Sequence, residues 1–317
     1  MHDKLKTGTI KNVLSDAAKE LQPKKIVCEE NRCLGRFEAE VLLAHILKKP
    51  RTWLHSHSDY GLRTTDYGLF SSLVERRKKH EPVAYILGEK EFYGLPFFAD
   101  KRALIPRPES EMLVELALNN TKSEMRNAKC EQAFIWDVGT GSGAVGISIA
   151  KKLPKARVLA TDISAPALAL AQKNAKRLKT KNITFLKADL LSPSVLRFLK
   201  NCELSTEHCE LFITANLPYL PTSDKAKLDS DIVKYEPSSA LFAGKDGLKI
   251  IKNFLRQLAT TRLPFSNLFL EYDPPQTKKL RTLAKSLFPK ANIQVHKDLA
   301  GRDRVMAITP LSFRPER

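Results

Sequence analysis

The chain has 317 residues, of which 43% are hydrophobic, enough to build packed cores and, by length, about two domains. No apolar run approaches the roughly 20 residues that cross a bilayer, and Met1 to Ile10 is polar, so no membrane partner is expected and the cytoplasm is the expected location. The formal charge of +18 invites an acidic partner, yet residues 1–90 hold 17 Lys and Arg against 12 Asp and Glu, so the excess is spread over a generally basic surface. A weak, salt-sensitive affinity for RNA-rich surroundings such as the ribosome is the corresponding expectation.

Up to residue 90 the pattern is helical. Val13, Leu14, Ala17, Ala18 and Leu21 recur at helical spacing, as do Phe37, Val41, Leu42, Ala44 and Ile46, and then Leu69, Phe70, Leu73 and Val74. Pro23, Pro50 and Pro82 punctuate these segments, and Arg76-Arg77-Lys78-Lys79 closes the last, where positive charge suits the helix dipole. Residues 1–90 therefore read as a helical bundle. Residues 91–103 cluster aromatics around Gly94 and Pro96, as in a short β-hairpin linking two domains. Ile105-Pro106-Arg107-Pro108-Glu109 then introduces a helix with Glu109 and Glu111 in its first turn.

From residue 104 to 317 the chain reads as a doubly wound α/β domain. Buried-strand runs appear at Phe134-Ile135-Trp136, Val158-Leu159-Ala160, Ile183-Thr184-Phe185, Leu211-Phe212-Ile213 and Leu268-Phe269-Leu270, with helices around 144–152, 165–178 and 276–288. Strand-like pieces near Ile293 and Val305 to Ile308 predict a closing hairpin. Cys28, Cys33, Cys130, Cys202 and Cys209 are odd in number and lack paired close spacings, so they read as reduced thiols, and no metal is expected.

Asp137-Val138-Gly139-Thr140-Gly141-Ser142-Gly143 follows the first strand of this domain and opens a helix. Such glycines admit a ligand close to the backbone, and the helix start favours a carboxylate or other anion. Asp162, at the end of the second strand, can accept both ribose hydroxyls of a nucleoside. Gly141-Ser142-Gly143-Ala144-Val145-Gly146 also fits the dinucleotide fingerprint, which keeps a nicotinamide dehydrogenase as a competitor. Three features favour S-adenosylmethionine: Asp137 before the glycines, positioned to hold an ammonium, Asp189 with Leu190 where an adenine would rest, and Asn216-Leu217-Pro218-Tyr219 after the fourth strand.

That tetrapeptide suits a planar amino group presented to a methyl donor. Asn216 offers a side-chain oxygen to one N–H, the Leu217 carbonyl, stiffened by Pro218, takes the other, and Tyr219 supplies an aromatic wall. Asn and Pro also favour turns, so the four residues alone fit a plain strand-to-loop turn as well. No His or Lys stands beside them as a general base.

Together these residues resemble the HemK/PrmC family of peptide chain release factor N5-glutamine methyltransferases. The resemblance is carried by residues 81–88 (Glu81-Pro82-Val83-Ala84-Tyr85 onward), Glu91-Phe92-Tyr93-Gly94-Leu95-Pro96, Leu104 to Glu111, the glycine loop, Tyr235-Glu236-Pro237 with Asp246-Gly247-Leu248, and Asp298 to Arg304. It implies a class I, Rossmann-like S-adenosylmethionine-dependent methyltransferase domain and an N-terminal helical domain that docks a class I release factor, whose Gly-Gly-Gln loop presents the glutamine. It places the cofactor on Asp137, Gly139, Thr140, Gly141, Ser142, Gly143, Asp162, Asp189, Leu190 and Asn216. The substrate amide falls to Asn216, Leu217, Pro218 and Tyr219, with Asn216, Pro218 and Tyr219 as catalytic residues. Residues 1 to about 30 match least and read as an extension. Two departures stand out: Leu217 replaces the first proline of the family's Asn-Pro-Pro-Tyr, and Glu271-Tyr272-Asp273-Pro274-Pro275 lacks the usual glycine after the strand. Asn-Leu-Pro-Tyr also resembles rRNA adenine dimethyltransferases, making N6-adenine methylation of rRNA or DNA the alternative; a non-enzymatic ribosome-binding protein is a further one. Those adenine enzymes carry their extra domain after the sheet, whereas here it precedes.

Overall fold

The computed structural model describes residues 8–22, 30–126, 132–201 and 209–310. Cys28, Cys130 and Cys202, with the side chains of Cys33 and Cys209, lie outside what is described, and so does their reading as thiols. Two compact units form: Met1–Gly88 with Asp229–Tyr235, and Glu89–Leu228 with Glu236–Arg317. Among the described residues no helix is long and apolar enough to cross a membrane.

The first unit consists of helices Ile10–Glu20, Glu30–Leu47, Arg51–Ser56, Thr64–Lys78 and Val83–Leu87, joined by the short helix Ser230–Tyr235. Ile10, Val13, Leu14 and Ala17 are buried with Leu42, Leu43, Phe70 and Val74 in one core. The first helix is therefore part of the bundle, and its reading as an extension is corrected. Two apolar assignments also change. Phe37 and Leu69 are 48% and 56% exposed; the neighbouring Phe70 takes the interior position, and the Phe37 ring lies under the Arg51 guanidinium, 4.2 Å from ring centroid to charge. Three residues of the basic run are paired locally: Arg76 with Glu81, Arg77 with Glu38 and Asp231, and Lys78 with Glu20 and Glu75.

The second unit opens with an antiparallel hairpin, β1 (Glu89–Phe92) and β2 (Leu95–Phe98), turning through Tyr93 and Gly94 at φ +53° and +70°. A seven-stranded sheet follows: β3 (Gln132–Val138), β4 (Arg157–Asp162), β5 (Ile183–Lys187), β6 (Cys209–Ala215), β7 (Asn267–Glu271), β8 (Asn292–Lys297) and β9 (Asp303–Thr309). Its order is β5-β4-β3-β6-β7-β9-β8, parallel from β5 to β7 and closed by the antiparallel β8–β9 hairpin. All five residues of β7 are buried, as expected of a parallel strand covered on both faces.

One face packs Trp136, Ile213 and Leu270 against Phe254, Leu255 and Leu280, and the other packs Ile135 and Phe212 against Leu113, Val114 and Ile147. Helices Pro193–Lys200 and Lys249–Thr261 join those the sequence pattern names. The chain winds outward through β3, β4 and β5 and then returns to lay β6 beside β3. The carboxyl ends of β3 and β6 thus flank the point where strand order reverses, which is where open α/β sheets form a crevice.

Candidate active site

A cavity of about 450 Å³ opens at that reversal point, within the size range of small-molecule sites. Its wall includes Asp137, Gly139, Thr140, Gly141, Ser142, Asp162, Asp189, Leu190, Asn216, Leu217 and Pro218, so eleven sequence-predicted site residues meet there. Gly143 and Tyr219 are not in the wall. Gly143 sits at φ +84° as the N-cap of helix Ala144–Lys152, and a Cβ there would stand 2.6 Å from Ile147 Cδ1 and 3.0 Å from Ala171 Cβ. It is a packing glycine that lets two helices approach the loop.

Asp137 is the loop's internal anchor. Its Oδ2 accepts the Thr140 hydroxyl at 2.6 Å and the Gly146 N–H at 3.0 Å, and its Oδ1 accepts the Thr214 hydroxyl at 2.9 Å. Full burial pushes its carboxyl above the ordinary aspartate range, while these three donors pull it back. The carboxylate expected to hold an ammonium is thus first a tie between β3, β6 and the helix start.

Asp162 ends β4 and accepts the Gly141 N–H at 2.9 Å and the Ser164 N–H at 2.8 Å, fixing the loop against the next strand. Burial raises its carboxyl too, against the backbone N–H groups of Ser164, Gly141 and Ile163. Asp189, after β5, is exposed within the cavity wall, next to buried Leu190 at φ +45°. Asn174 completes the frame: its amide bonds the Phe98 N–H and carbonyl at 2.7 and 3.2 Å and the Ser142 carbonyl at 2.9 Å, joining hairpin to glycine loop.

Beside the glycine turn Asn216 leaves β6, just after the Val138–Ala215 pair of the β3–β6 ladder. Its Nδ2 donates to Ser110 Oγ at 2.8 Å, and Ser110 Oγ donates to Glu271 Oε2 at 2.6 Å. The Tyr219 hydroxyl donates to Glu271 Oε1 at 3.1 Å, so this side chain is held by a buried carboxylate outside the lining of the cavity. Burial pushes the Glu271 carboxyl up, while Ser110, Tyr219 and the nearby Arg304 charge pull it down. The Tyr219 phenol is pushed far up by burial and by Glu271.

Leu217 turns its side chain into the core at 4% exposure, and a Cβ on Gly139 would come 3.0 Å from Leu217 Cδ2. Leucine in place of proline therefore packs the loop against the glycine turn. No donor among the described residues takes its carbonyl.

Two further parts fix this end. Buried Glu236 accepts the Ile105 N–H at 3.0 Å and pairs with Arg107, holding the Ile105 to Glu109 segment that carries Ser110 inward. The departure at 271–275 folds into a 3-10 turn, Pro274–Gln276, capped reciprocally by Asp273 and Gln276. Gln276 Nε2 then donates to the Tyr219 carbonyl at 2.7 Å. Ser110, Glu236 and Glu271 were visible in sequence only as parts of motifs, and Gln276 in none; a Glu closing an otherwise apolar strand is the one local signal available for Glu271.

The fit to a sulfonium nucleoside is tested by these atoms. Gly139 and Gly141 at φ +69° and +57° keep Cβ atoms out of the cradle, and acids stand at the ends of β4 and β5, so the residues suit S-adenosylmethionine. Asp162→Ala is expected to weaken S-adenosylmethionine binding about 10- to 100-fold in calorimetry, since a bond to a charged group contributes about 1.5–3 kcal/mol. As pH falls through the raised Asp162 value, its acceptor charge is lost and affinity declines; in Asp162→Asn that part of the pH dependence should vanish.

Residues 13–88 match the model of the PrmC N-terminal domain, and residues 135–228 match a methyltransferase domain model. The chain is 36% identical over 271 residues to the release factor glutamine methyltransferase of Coxiella burnetii, covering 86% of this chain and 90% of that protein. It is 38% identical over 270 residues to that of Moorella thermoacetica, covering 85% and 89%. Among solved structures, the hMettl16 catalytic domain in complex with MAT2A 3′UTR hairpin 6 aligns with a TM-score of 0.55 at 14% identity over 73% of this chain and 82% of that one, a likeness of fold. These relatives set aside the nicotinamide dehydrogenase and the non-enzymatic ribosome-binding protein. With domain models on both units and identity of this extent over most of its length, the chain belongs to the release factor glutamine methyltransferase family.

Proposed function

We propose that this protein transfers a methyl group from S-adenosylmethionine to the side-chain amide nitrogen of the glutamine in the Gly-Gly-Gln loop of a class I peptide chain release factor. The observation that carries this reading is Asn216: its Nδ2 is taken by Ser110, so Oδ1 is the atom left to accept a substrate N–H. The Leu217 carbonyl is the second acceptor, and the two together hold an amide nitrogen in a fixed pose. When bound, S-adenosylmethionine supplies an electrophilic sulfonium methyl. The chain contributes orientation and electrostatic stabilisation of the nitrogen as positive charge develops on it. The substrate proton leaves to solvent, since neither His nor Lys flanks the tetrapeptide. The N-terminal helical domain, residues 1–90 with its PrmC-type match, is assigned to docking the release factor, residues 91–103 to the link and residues 104–317 to transfer.

Labelled methyl transfer tests the substrate class. With purified release factor and ribosomal RNA offered together, label is expected in the protein fraction; label confined to RNA would favour the adenine alternative and reject this assignment.

A further inference from the structure

β6 and β7 are adjacent and parallel with Ala215 opposite Leu270, so Asn216 and Glu271 occupy neighbouring positions at the same edge of the sheet. Ser110 ends the 3-10 turn Pro108–Ser110 and is inserted between them. Glu271 is 1% exposed and, unlike Asn216 and Ser110, is not part of the cavity wall.

An asparagine amide has two ends of nearly the same size, so packing alone hardly selects which one faces a ligand. Hydrogen-bond polarity does. A carboxylate only accepts, and a serine hydroxyl has one proton. With that proton given to Glu271, Ser110 can only accept from Asn216. Asn216 must then turn its NH2 to Ser110, which leaves its oxygen for the substrate. The reversed amide would present a donor to a donor and lose the nitrogen to be methylated. Tyr219 fills the other Glu271 oxygen and ties the end of the same tetrapeptide to the same carboxylate.

We propose that Glu271 is a positioning residue which, acting through Ser110, sets the amide polarity of Asn216 and thereby determines that the site grips an N–H2 group. The inference rests on the proposed glutamine reading and deepens it. Glu271 touches no reacting atom; its effect passes through two hydrogen bonds.

Reversing the polarity of both ends of the relay tests this. In Asn216→Asp, a second acceptor faces the accepting side of Ser110, and kcat is expected to fall about 100-fold, the scale seen when one oriented hydrogen-bonding group is lost. Glu271→Gln alone is expected to cost about tenfold. In the double variant, the glutamine amide introduced at position 271 can donate to Ser110. Ser110 can then donate to one oxygen of the carboxylate introduced at position 216, whose other oxygen still accepts from substrate. The double variant should therefore turn over about tenfold faster than Asn216→Asp alone, a coupling whose sign a merely structural role would not produce. Calorimetry with S-adenosylmethionine and thermal unfolding on all four proteins report that each is folded.

A double variant at or below the product of the two single losses overturns the proposal. Should Glu271→Gln fail to fold, the Ser110 pair decides: Ser110→Ala is expected to lose kcat about tenfold with cofactor affinity kept, and Ser110→Thr, which retains the hydroxyl, to recover most of it. Wild-type kcat in Ser110→Ala would equally overturn it. Additive losses in an enzyme that does methylate glutamine defeat only the relay, whereas a wild-type protein that methylates no glutamine defeats the functional reading and this proposal with it.

Discussion

Asn216→Ala is expected to lower kcat for glutamine methylation by about 1,000-fold, at the upper end of what removing one oriented hydrogen-bonding group costs in a preorganised site. The alanine removes the oxygen left by the Ser110 bond and also leaves Ser110 without its donor. A substrate amide would keep one acceptor, the Leu217 carbonyl, and could rotate about it, losing the near-attack orientation that two acceptors impose. Cofactor affinity should change far less, because the glycine loop is held by Asp137, Asp162 and Asn174, none of which bonds Asn216. Single-turnover rates with calorimetric cofactor binding on the same preparation separate the two effects. Near-normal turnover would show that Asn216 does not hold the substrate amide.

The second large effect is expected at a residue outside the cavity wall. Gly247 lies at φ +70°, and a Cβ there would stand 2.0 Å from the Tyr219 carbonyl oxygen and 2.6 Å from Gln276 Nε2. Neither neighbour can yield freely. The Tyr219 carbonyl is backbone of the tetrapeptide and accepts from Gln276, and Gln276 is locked in its own capping box. Gly247→Ala must therefore push the Tyr219 peptide outward by about 1.4 Å to reach ordinary contact distance, and a displacement of about 1 Å already costs on the order of 100-fold in rate. Strain of about 1 kcal/mol or more from alanine in the left-handed region adds a lower unfolding temperature. Steady-state kinetics should show kcat reduced about 100-fold with cofactor affinity within a few-fold. An alanine variant with normal kcat would show that the tetrapeptide need not be held in this register.

The sheet was legible because buried parallel strands leave compact apolar runs, and the glycine loop because its positive-φ turns demand glycine at Gly139 and Gly141. Asn216 stood out only in company: its tetrapeptide alone fits a plain turn, and the glycine loop and the strand-end acids set it at the same sheet edge. Ser110 and Glu271 were not legible, since they lie 161 residues apart in sequence and meet only because the Pro108–Ser110 turn is inserted at the edge where β7 lies beside β6. Tyr219 was found through its motif, but the sequence did not show what its hydroxyl bonds. Its ring suggested a substrate wall, and the structure adds that its hydroxyl donates to Glu271. In the helical unit, Phe37 and Leu69 satisfied the helical period yet face outward, because a stripe of that width fits more than one rotation of the helix and packing chooses among them. Composition does not show where charge is paired: three residues of the densest basic run meet Glu20, Glu38, Glu75, Glu81 and Asp231.

Tandem mass spectrometry of a class I release factor incubated with this protein and S-adenosylmethionine tests the central assignment most directly. A single added methyl, about 14 Da, is expected on the side-chain nitrogen of the glutamine in the Gly-Gly-Gln loop, with none when Asn216→Ala replaces the wild type over the same interval. An unmodified glutamine beside a methyl group elsewhere on the factor, or none at all from a protein that binds the cofactor, would contradict it.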